Sequence, residues 1–194
     1  MYISLVIASR GDREELKKAT DAASDADEII VVVDKPRKEQ VFRVNEGVAK
    51  AKGDVIMVMP DRIILKEGWR QALEDNFKRI NNSGCVTFER NFCGTAAVTR
   101  DFLEGALGGY FCWPDYLHYN WDLELGDRAR KLLKYCEVPD CEKYYDRIPK
   151  QNLSQSNDVV DYDLLVYRER TNLGWPNERI RTEKDKEAVL KSQS

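Results

Sequence analysis

The sequence lacks any apolar run of the ~20 residues that a membrane-spanning helix needs. Its opening segment, MYISLVIASR, is apolar but short, and it has neither the basic start nor the small-residue cleavage site of a secretory signal. This segment therefore predicts a buried strand. We expect a cytoplasmic protein without a transmembrane segment.

The sequence also has little net charge. Its 31 Lys and Arg residues nearly balance its 34 Asp and Glu residues, which leaves a formal charge of -3. A charge this small gives no general attraction to nucleic acid or to an anionic membrane, so no nucleic-acid partner is predicted. Any phosphorylated ligand must be bound by local basic groups.

The five cysteines include no C-x-x-C pair, which argues against a zinc site and against a thioredoxin-like motif. In a reducing cytosol we expect buried free thiols. Cys85 and Cys93 fall in adjacent predicted strands. A disulfide between them stays open as an alternative if the source is a hyperthermophile.

Apolar runs alternate with amphipathic segments through the first half of the chain. The apolar runs are 3–9, 28–34 and 54–60, and the helical segments are 12–24, 39–51 and 67–80. Strands that are apolar on both faces and alternate with helices predict a parallel sheet with right-handed crossovers. Two further short strands, 84–90 and 94–100, predict an antiparallel addition. The predicted fold class is α/β, with a Rossmann-like, mixed but mainly parallel sheet flanked by helices.

The second half of the chain is less regular. Segment 105–116 contains glycines and predicts a loop, and 117–135 predicts mostly helix. One strand-like run, 163–169, interrupts a polar remainder. No repeat and no obvious linker divides the chain, so we expect one domain over 1–194, with 140–194 as an irregular C-terminal extension packed on it.

Each of the three apolar runs has charged residues at its carboxyl end. The residues at these ends are Ser9-Arg10, Asp34-Lys35 and Pro60-Asp61-Arg62. In open parallel sheets, ligands bind beyond the carboxyl ends of the strands. The sequence therefore predicts a ligand site on a rim where acidic and basic side chains gather.

Five segments resemble the motifs of glycosyltransferase family 2 and its relatives, in that family's order and spacing. They are SLVIASRGDREEL (4–16), EIIVVVDKP (28–36), NEGVAKAKGD (45–54), PDRIILKEGW (60–69) and WDLELGDRARK (121–131). The resemblance implies a GT-A glycosyltransferase that moves a sugar from a UDP- or GDP-sugar to a hydroxyl of a glycan, protein or lipid, with inversion by direct displacement. The short chain also resembles small glycosyltransferases of archaeal viruses, which would place it in the host cytoplasm.

The resemblance assigns donor binding to residues at the ends of the first two strands. Ala8, Ser9 and Arg10 would line the pocket for the base and ribose, and Asp34 would accept hydrogen bonds from the nucleobase. The family often has an aromatic residue at position 10, where the planar guanidinium of Arg10 could stack instead. The alternatives are a surface arginine at position 10 and a simple strand-ending turn at Asp34.

The family carries Asp-x-Asp where this chain has Pro60-Asp61-Arg62. Only Asp61 remains to ligate Mg²⁺ or Mn²⁺, cations that are typically held by one or two carboxylates plus phosphates and waters. Alternatively, Arg62 neutralises part of the diphosphate through bidentate hydrogen bonds. We therefore expect sugar transfer to depend only weakly on a metal ion. The structural alternative is that Pro60-Asp61-Arg62 forms only a turn.

The last of the five segments implies that Asp122 is the general base that deprotonates the acceptor hydroxyl, with Glu124 as the fallback. An Asp in this position could instead only cap the helix. Trp113, Tyr119 and Trp121 form the predicted acceptor platform, because the C–H faces of sugars pack well on aromatic rings. A buried corner of the core is the alternative for these aromatic residues.

Two other functions remain open. The resemblance places an acid of the family at each of Arg62 and Trp121, and the loss of both acids fits a catalytically inactive nucleotide-sugar-binding module. A sugar nucleotidyltransferase would carry a glycine- and lysine-rich triphosphate loop after the first strand. The segment ASRGDREE has one glycine and no lysine, so this function ranks third.

Overall fold

The computed structural model describes residues 1–11, 13–34, 40–149, 157–178, 181 and 186. The strands of this part of the chain are β1 (Ile3–Ser9), β2 (Glu28–Val33), β3 (Val55–Pro60), β4 (Ile63–Leu65), β5 (Cys85–Glu89), β6 (Phe92–Thr99), β7 (Tyr135–Glu137) and β8 (Tyr145–Arg147). Its α-helices are α1 (Arg13–Ala22), α2 (Gln40–Lys50), α3 (Trp69–Arg79), α4 (Arg100–Gly105), α5 (Trp121–Lys131) and α6 (Asn157–Asn172).

Six strands form one sheet in the order β2-β1-β3-β6-β5-β7, and β4 pairs with β8 in a small antiparallel sheet. In the large sheet β1 lies parallel to both β2 and β3, and β5 lies parallel to β7. Strand β6 is antiparallel to its neighbours β3 and β5, so it alone runs against the other five. The prediction of a mixed but mainly parallel sheet is therefore confirmed.

Apolar clusters cover both faces of the large sheet. The cluster under α1 and α3 includes Leu5, Ile7, Met57, Trp69 and Phe77. The cluster under the other four helices includes Val6, Val58, Phe102, Leu125 and Val166. The sheet is therefore the central layer of a three-layer core. Burying one side chain of this size stabilises the fold by about 1.5–3 kcal/mol. The uninterrupted apolar composition of β1 and β3 follows from their burial on both faces.

The turn between β5 and β6 contains Asn91, which lies in the gap between the two short strands that the sequence predicts over 84–90 and 94–100. Asn91 has a φ of 62°, a left-handed conformation that asparagine tolerates better than most residues. The turn reverses the chain, and Glu89 pairs with Phe92 across it. This hairpin places Glu89 at the same end of the sheet as the carboxyl end of β3.

The prediction of a strand over 163–169 is wrong, because these residues belong to the helix α6. Val159, Tyr162 and Val166 are buried at helical spacing, and all three belong to the core cluster. The described part of the chain after residue 139 is therefore less irregular than expected. The helix predicted over 117–135 is also shorter, since α5 ends at Lys131 and β7 begins at Tyr135.

The cysteines are free and buried, as the sequence predicts. The sulfur atoms of Cys85 and Cys93 lie 3.9 Å apart, well beyond the S–S bond length of about 2.05 Å. None of the described helices combines the length and the apolar composition needed to cross a membrane.

A buried ion pair fastens α6 to α5. The guanidinium of Arg170 is fully buried and donates from Nε and Nη2 to the two carboxylate oxygens of Glu124, both at 2.8 Å. The same guanidinium lies 4.0 Å from the ring centroid of Trp113. Two parallel charge-assisted hydrogen bonds fix the orientation of both partners, so this pair sets how the C-terminal helix packs.

We expect Arg170→Met to lower the free energy of unfolding by roughly 3 kcal/mol, because it leaves the carboxylate of Glu124 buried without its main partner. Urea titration at pH 7 measures the change. Lys17→Met is the control, since it breaks an exposed pair with Asp21 and should cost less than about 1 kcal/mol. Equal losses in the two variants would contradict a structural role for the buried pair.

Candidate functional site

A cavity of about 530 Å³ opens at the carboxyl ends of the parallel strands. It gathers nine of the residues that the sequence nominates for a site, which are Ala8, Ser9, Arg10, Asp34, Asp61, Arg62, Tyr119, Trp121 and Asp122. Asp122 therefore faces the predicted donor-binding rim across one shared opening. This location fits the rule that ligands bind beyond the carboxyl ends of parallel strands.

Backbone hydrogen bonds hold the rim of the cavity together. The N–H of Asp61 donates to the carbonyl of Ala8 at 3.0 Å, and the N–H of Asp34 donates to the carbonyl of Ser9 at 3.0 Å. The N–H of Arg10 donates to a carboxylate oxygen of Asp61 at 3.1 Å. The three strand ends are thus joined beyond the last ladder pair, which fixes the direction of the side chains that follow them.

Two arginines supply positive charge to this rim. Among the described residues, the guanidinium groups of Arg10 and Arg62 make no hydrogen bond to the protein, although both groups line the cavity. Burial lowers the pKa of Arg62, and the nearby positive charges of Arg147 and Arg10 lower it further. A half-buried guanidinium with free donors beside other cations is suited to bind an anion, above all phosphate.

Glu89 is a cavity residue that the sequence analysis missed. Its Oε1 accepts a hydrogen bond from the hydroxyl of Thr95 at 2.7 Å and lies 2.8 Å from Nη2 of Arg147. Within the described part of the chain, its Oε2 accepts no hydrogen bond. Its position at the carboxyl end of an apolar run could have predicted Glu89 as a site residue. That prediction requires knowing that β5 runs parallel to β3, which the sequence does not show.

Asp122 lies in the first turn of α5, where the chain enters the helix from Asn120 in the left-handed conformation, with a φ of 62°. Its Oδ1 accepts the N–H of Leu123 at 3.0 Å. Burial raises the pKa of Asp122, and the negative charge of Glu89 raises it further, against the opposing effect of the Leu123 N–H. The cavity therefore holds a carboxylate with more than ordinary affinity for a proton.

Glu124, the fallback base, lies away from the cavity. Residues two apart on a helix point to opposite sides, so Glu124 turns inward when Asp122 faces the opening. The carboxylate of Glu124 is buried, bound by Arg170 and by the hydroxyl of Tyr116 at 2.9 Å. The carboxylate of Glu124 binds Arg170 of α6, so the structure does not favour Glu124 as the general base.

The three aromatic candidates for acceptor binding separate in the structure. The prediction that Trp113 belongs to the acceptor platform is wrong, because Trp113 does not line the cavity. Its side chain is buried, and its Nε1 donates a hydrogen bond to Asp115 at 3.0 Å. Trp121 is among the lining residues of the cavity, but it is only 6% exposed. Tyr119 is partly exposed and lines the cavity beside His118, whose ring centroid lies 4.6 Å from its own.

The described residues contain no group of three or more His, Cys, Asp or Glu side chains that could hold a metal ion. Asp61 is almost fully buried, and one of its oxygens already accepts the N–H of Arg10. A single carboxylate can hold Mg²⁺ or Mn²⁺ only with ligands from a bound phosphate and water. The donor set of the protein therefore fits a metal poorly unless the substrate supplies most of the oxygens.

The raised pKa of Asp122 predicts how its charge affects stability. The folded protein binds this proton more readily than the unfolded chain, so ionised Asp122 costs stability at neutral pH, and the cost vanishes below the unfolded pKa of about 3.9. We expect Asp122→Asn to raise the urea midpoint at pH 7.5. The gain should shrink as the pH falls toward 4.

Asp75→Asn is the matched control for this prediction. Asp75 is exposed on α3, and a hydrogen bond from Lys78 lowers its pKa, so its replacement should lower stability at pH 7.5. The two variants should therefore change stability in opposite directions. If Asp122→Asn changes stability equally at all pH values, burial does not raise the pKa of the Asp122 carboxylate.

The fold resembles those of several solved glycosyltransferase structures. A mutant of Drosophila beta-1,4-galactosyltransferase 7 in complex with manganese, UDP-Gal and xylobiose matches 84% of this chain and 79% of its own, with a TM-score of 0.56 and 13% identity. A fragment of S. aureus TarS in complex with UDP-GlcNAc matches 98% of this chain and 70% of its own, with a TM-score of 0.65 and 13% identity.

A third similar structure is the protein A197 from STIV, which matches 81% of this chain and 99% of its own, with a TM-score of 0.50 and 12% identity. No protein-family profile and no curated protein matches the sequence. Identities this low establish the architecture alone. The chain has the GT-A fold, and its cavity lies at the carboxyl ends of the parallel strands.

Proposed function

We propose that the protein is a glycosyltransferase that moves a sugar from a nucleotide-sugar donor to a hydroxyl acceptor, with inversion by direct displacement. The observation that carries the proposal is the shared cavity, in which Asp122 faces Asp61 and Arg62 within a GT-A fold. Two proteins of similar fold are complexed with UDP-Gal and UDP-GlcNAc, which favours a UDP-sugar donor here.

The nucleotide end of the donor would lie against the ends of β1 and β2. Asp34 is buried there and can accept hydrogen bonds from the N–H groups of a nucleobase. Ala8 and Ser9 provide a close, small-residue surface for the ribose, and Arg10 can stack its guanidinium on the base or reach the diphosphate. The rigid backbone bonds between these strand ends support such a site, since they hold it open before the ligand arrives.

The leaving diphosphate would be neutralised chiefly by Arg62, with help from Arg10. The free donors of both side chains can form charge-assisted hydrogen bonds to phosphate oxygens, and these bonds strengthen as charge develops on the departing group. Asp61 would bind a divalent cation only as an addition, together with the donor phosphates. This arrangement predicts weak dependence on metal.

Asp122 would act as the general base. Its carboxylate takes the proton of the acceptor hydroxyl while the acceptor oxygen attacks the anomeric carbon and the bond from that carbon to the diphosphate breaks. The raised pKa of Asp122 makes it a stronger base than an ordinary aspartate. Tyr119 and the accessible part of Trp121 lie beside it and offer ring surface to the acceptor sugar.

Asp122→Asn should lower turnover by about 100-fold or more, because an asparagine amide in this position cannot take the proton. Donor affinity should stay within about twofold, since the side chain keeps its size. Release of UDP or GDP from a panel of UDP- and GDP-sugars, with p-nitrophenyl glycosides as acceptors, measures turnover, and calorimetry measures donor binding. Full turnover in the variant would refute the assignment of the base.

Arg62→Gln should lower kcat by roughly 10- to 100-fold, while EDTA should change wild-type turnover little. Arg43→Gln is the control, because Arg43 lies on α2 outside the cavity and pairs with Glu46. If EDTA instead abolishes wild-type turnover and Arg62→Gln has no effect, the diphosphate is neutralised by metal.

A nucleotide-sugar-binding module without catalysis is the second candidate. Arg62 and Trp121 occupy the positions where the resembling family carries acids, and this favours it. A thermal-shift screen of nucleotide sugars with and without Mn²⁺ detects binding in either case, because a ligand of the native state raises the melting temperature. Binding without turnover across the donors and acceptors tested would select the module.

A further inference from the structure

We propose that Asp163, on the C-terminal helix α6, is a positioning residue that holds the cavity-lining segment 117–119 in the conformation needed for transfer. This role rests on the proposed function. The helix lies outside the five segments that resemble the glycosyltransferase motifs, and the sequence analysis predicts no functional residue in it. The geometry connects it directly to the wall of the cavity.

The carboxylate of Asp163 accepts hydrogen bonds from three successive backbone N–H groups. Leu117 donates to Oδ1 at 2.8 Å, and His118 and Tyr119 donate to Oδ2 at 2.8 and 2.6 Å. Asp163 is completely buried. A row of N–H groups converging on one anion is a recurrent way to fix an irregular backbone segment, because the full charge satisfies several donors at once.

The segment held by Asp163 carries side chains of the site. His118 and Tyr119 line the cavity, and the chain passes from them through Asn120 directly to Trp121 and Asp122. Residues 117–119 belong to no helix or strand, so no regular ladder fixes them. Movement of this segment would displace the aromatic surface and the N-terminal turn that presents the base.

The other side of the segment is bonded to α2. The carbonyl of Leu117 accepts the N–H of Val41 at 3.3 Å, and the preceding residue, Gln40, lines the cavity. The segment thus lies between the helix next to the donor-binding rim and the helix that carries Asp163. One hydrogen bond joins the segment to α2, and three join it to Asp163. The three that Asp163 accepts are the shorter.

Asp163 can be altered without releasing α6 from the core. Arg170 and Val166 attach the same helix through the ion pair with Glu124 and through apolar packing. Burial raises the pKa of Asp163 to about 6, against the opposing effect of the three N–H groups, so the carboxylate is ionised at pH 8. Experiments at that pH compare variants with a fully charged wild type.

The test compares Asp163→Asn and Asp163→Ala with Val166→Ala, which removes buried side-chain atoms from the same helix but keeps the carboxylate. In both Asp163 variants, hydrogen exchange of the amides in 117–119 should accelerate by about tenfold or more, since their acceptor is weakened or lost. At pH 8 the acceptor kcat/KM should fall by about tenfold, with donor affinity within about twofold of wild type. The probes are the UDP- or GDP-sugar and the p-nitrophenyl glycoside that give the fastest wild-type turnover.

Val166→Ala should lower stability without either change. If it reproduces both effects, or if the Asp163 variants keep wild-type exchange or wild-type kcat/KM, the positioning role is refuted. Absence of turnover in the wild type, with every donor and acceptor in the panel, would instead refute the proposed function together with this role. The two failures are therefore distinguishable.

Discussion

The site depends on the parallel pairing of β1 with β2 on one side and with β3 on the other. This pairing brings three strand ends to one edge of the sheet, and the N–H groups of Asp34 and Asp61 continue it by one bond each. Because β1 and β3 are buried on both faces, a shift of register by one residue would move their apolar side chains from one core layer to the other and disrupt the packing of both layers. The positions of the rim residues are therefore fixed by the core, with no ligand required to arrange them.

The chemistry of the cavity opposes the stability of the fold that carries it. Asp122 keeps a carboxylate where burial disfavours its charge, and Arg62 keeps a guanidinium where burial and neighbouring cations disfavour it. Glu89 links the two, since its charge stabilises the cation of Arg62 and disfavours ionisation of Asp122. A bound diphosphate would relieve the first cost, and a proton from an acceptor would relieve the second. Groups held at such a cost are typical of functional sites.

The sequence predicted the parts of the fold whose pattern is local. Unbroken apolar runs predicted β1, β2 and β3, and the positions of these strands then predicted Asp34, Asp61 and Arg62 as neighbours at the sheet edge. It failed where burial depends on a distant partner. The run 163–169 looks like a strand until the pairing of Arg170 with Glu124 shows which side of a helix is buried. Trp113 likewise shares a sequence cluster with Trp121 but packs against Arg170 in the core. Predicting Glu89 as a site residue required the direction of β5 in the sheet, which no local sequence pattern indicates.

The proposed neutralisation of a diphosphate by arginine, with little help from metal, has a physical consequence for this site. A metal ion arrives with the substrate and leaves the empty cavity with uncompensated carboxylates, whereas an arginine charge is always present and must be tolerated when no ligand is bound. Here the positive charges of Arg147 and Arg10 disfavour the charge of Arg62, while Glu89 and Asp61 offset this effect in part. Glu89 is itself held by Thr95 and Arg147, so it cannot turn fully toward Arg62. The lining of the cavity also includes five acidic residues, so its positive charge is confined to the arginines. The diphosphate of the proposed donor would therefore have to contact these guanidinium groups directly, because the net charge of the cavity would not attract it.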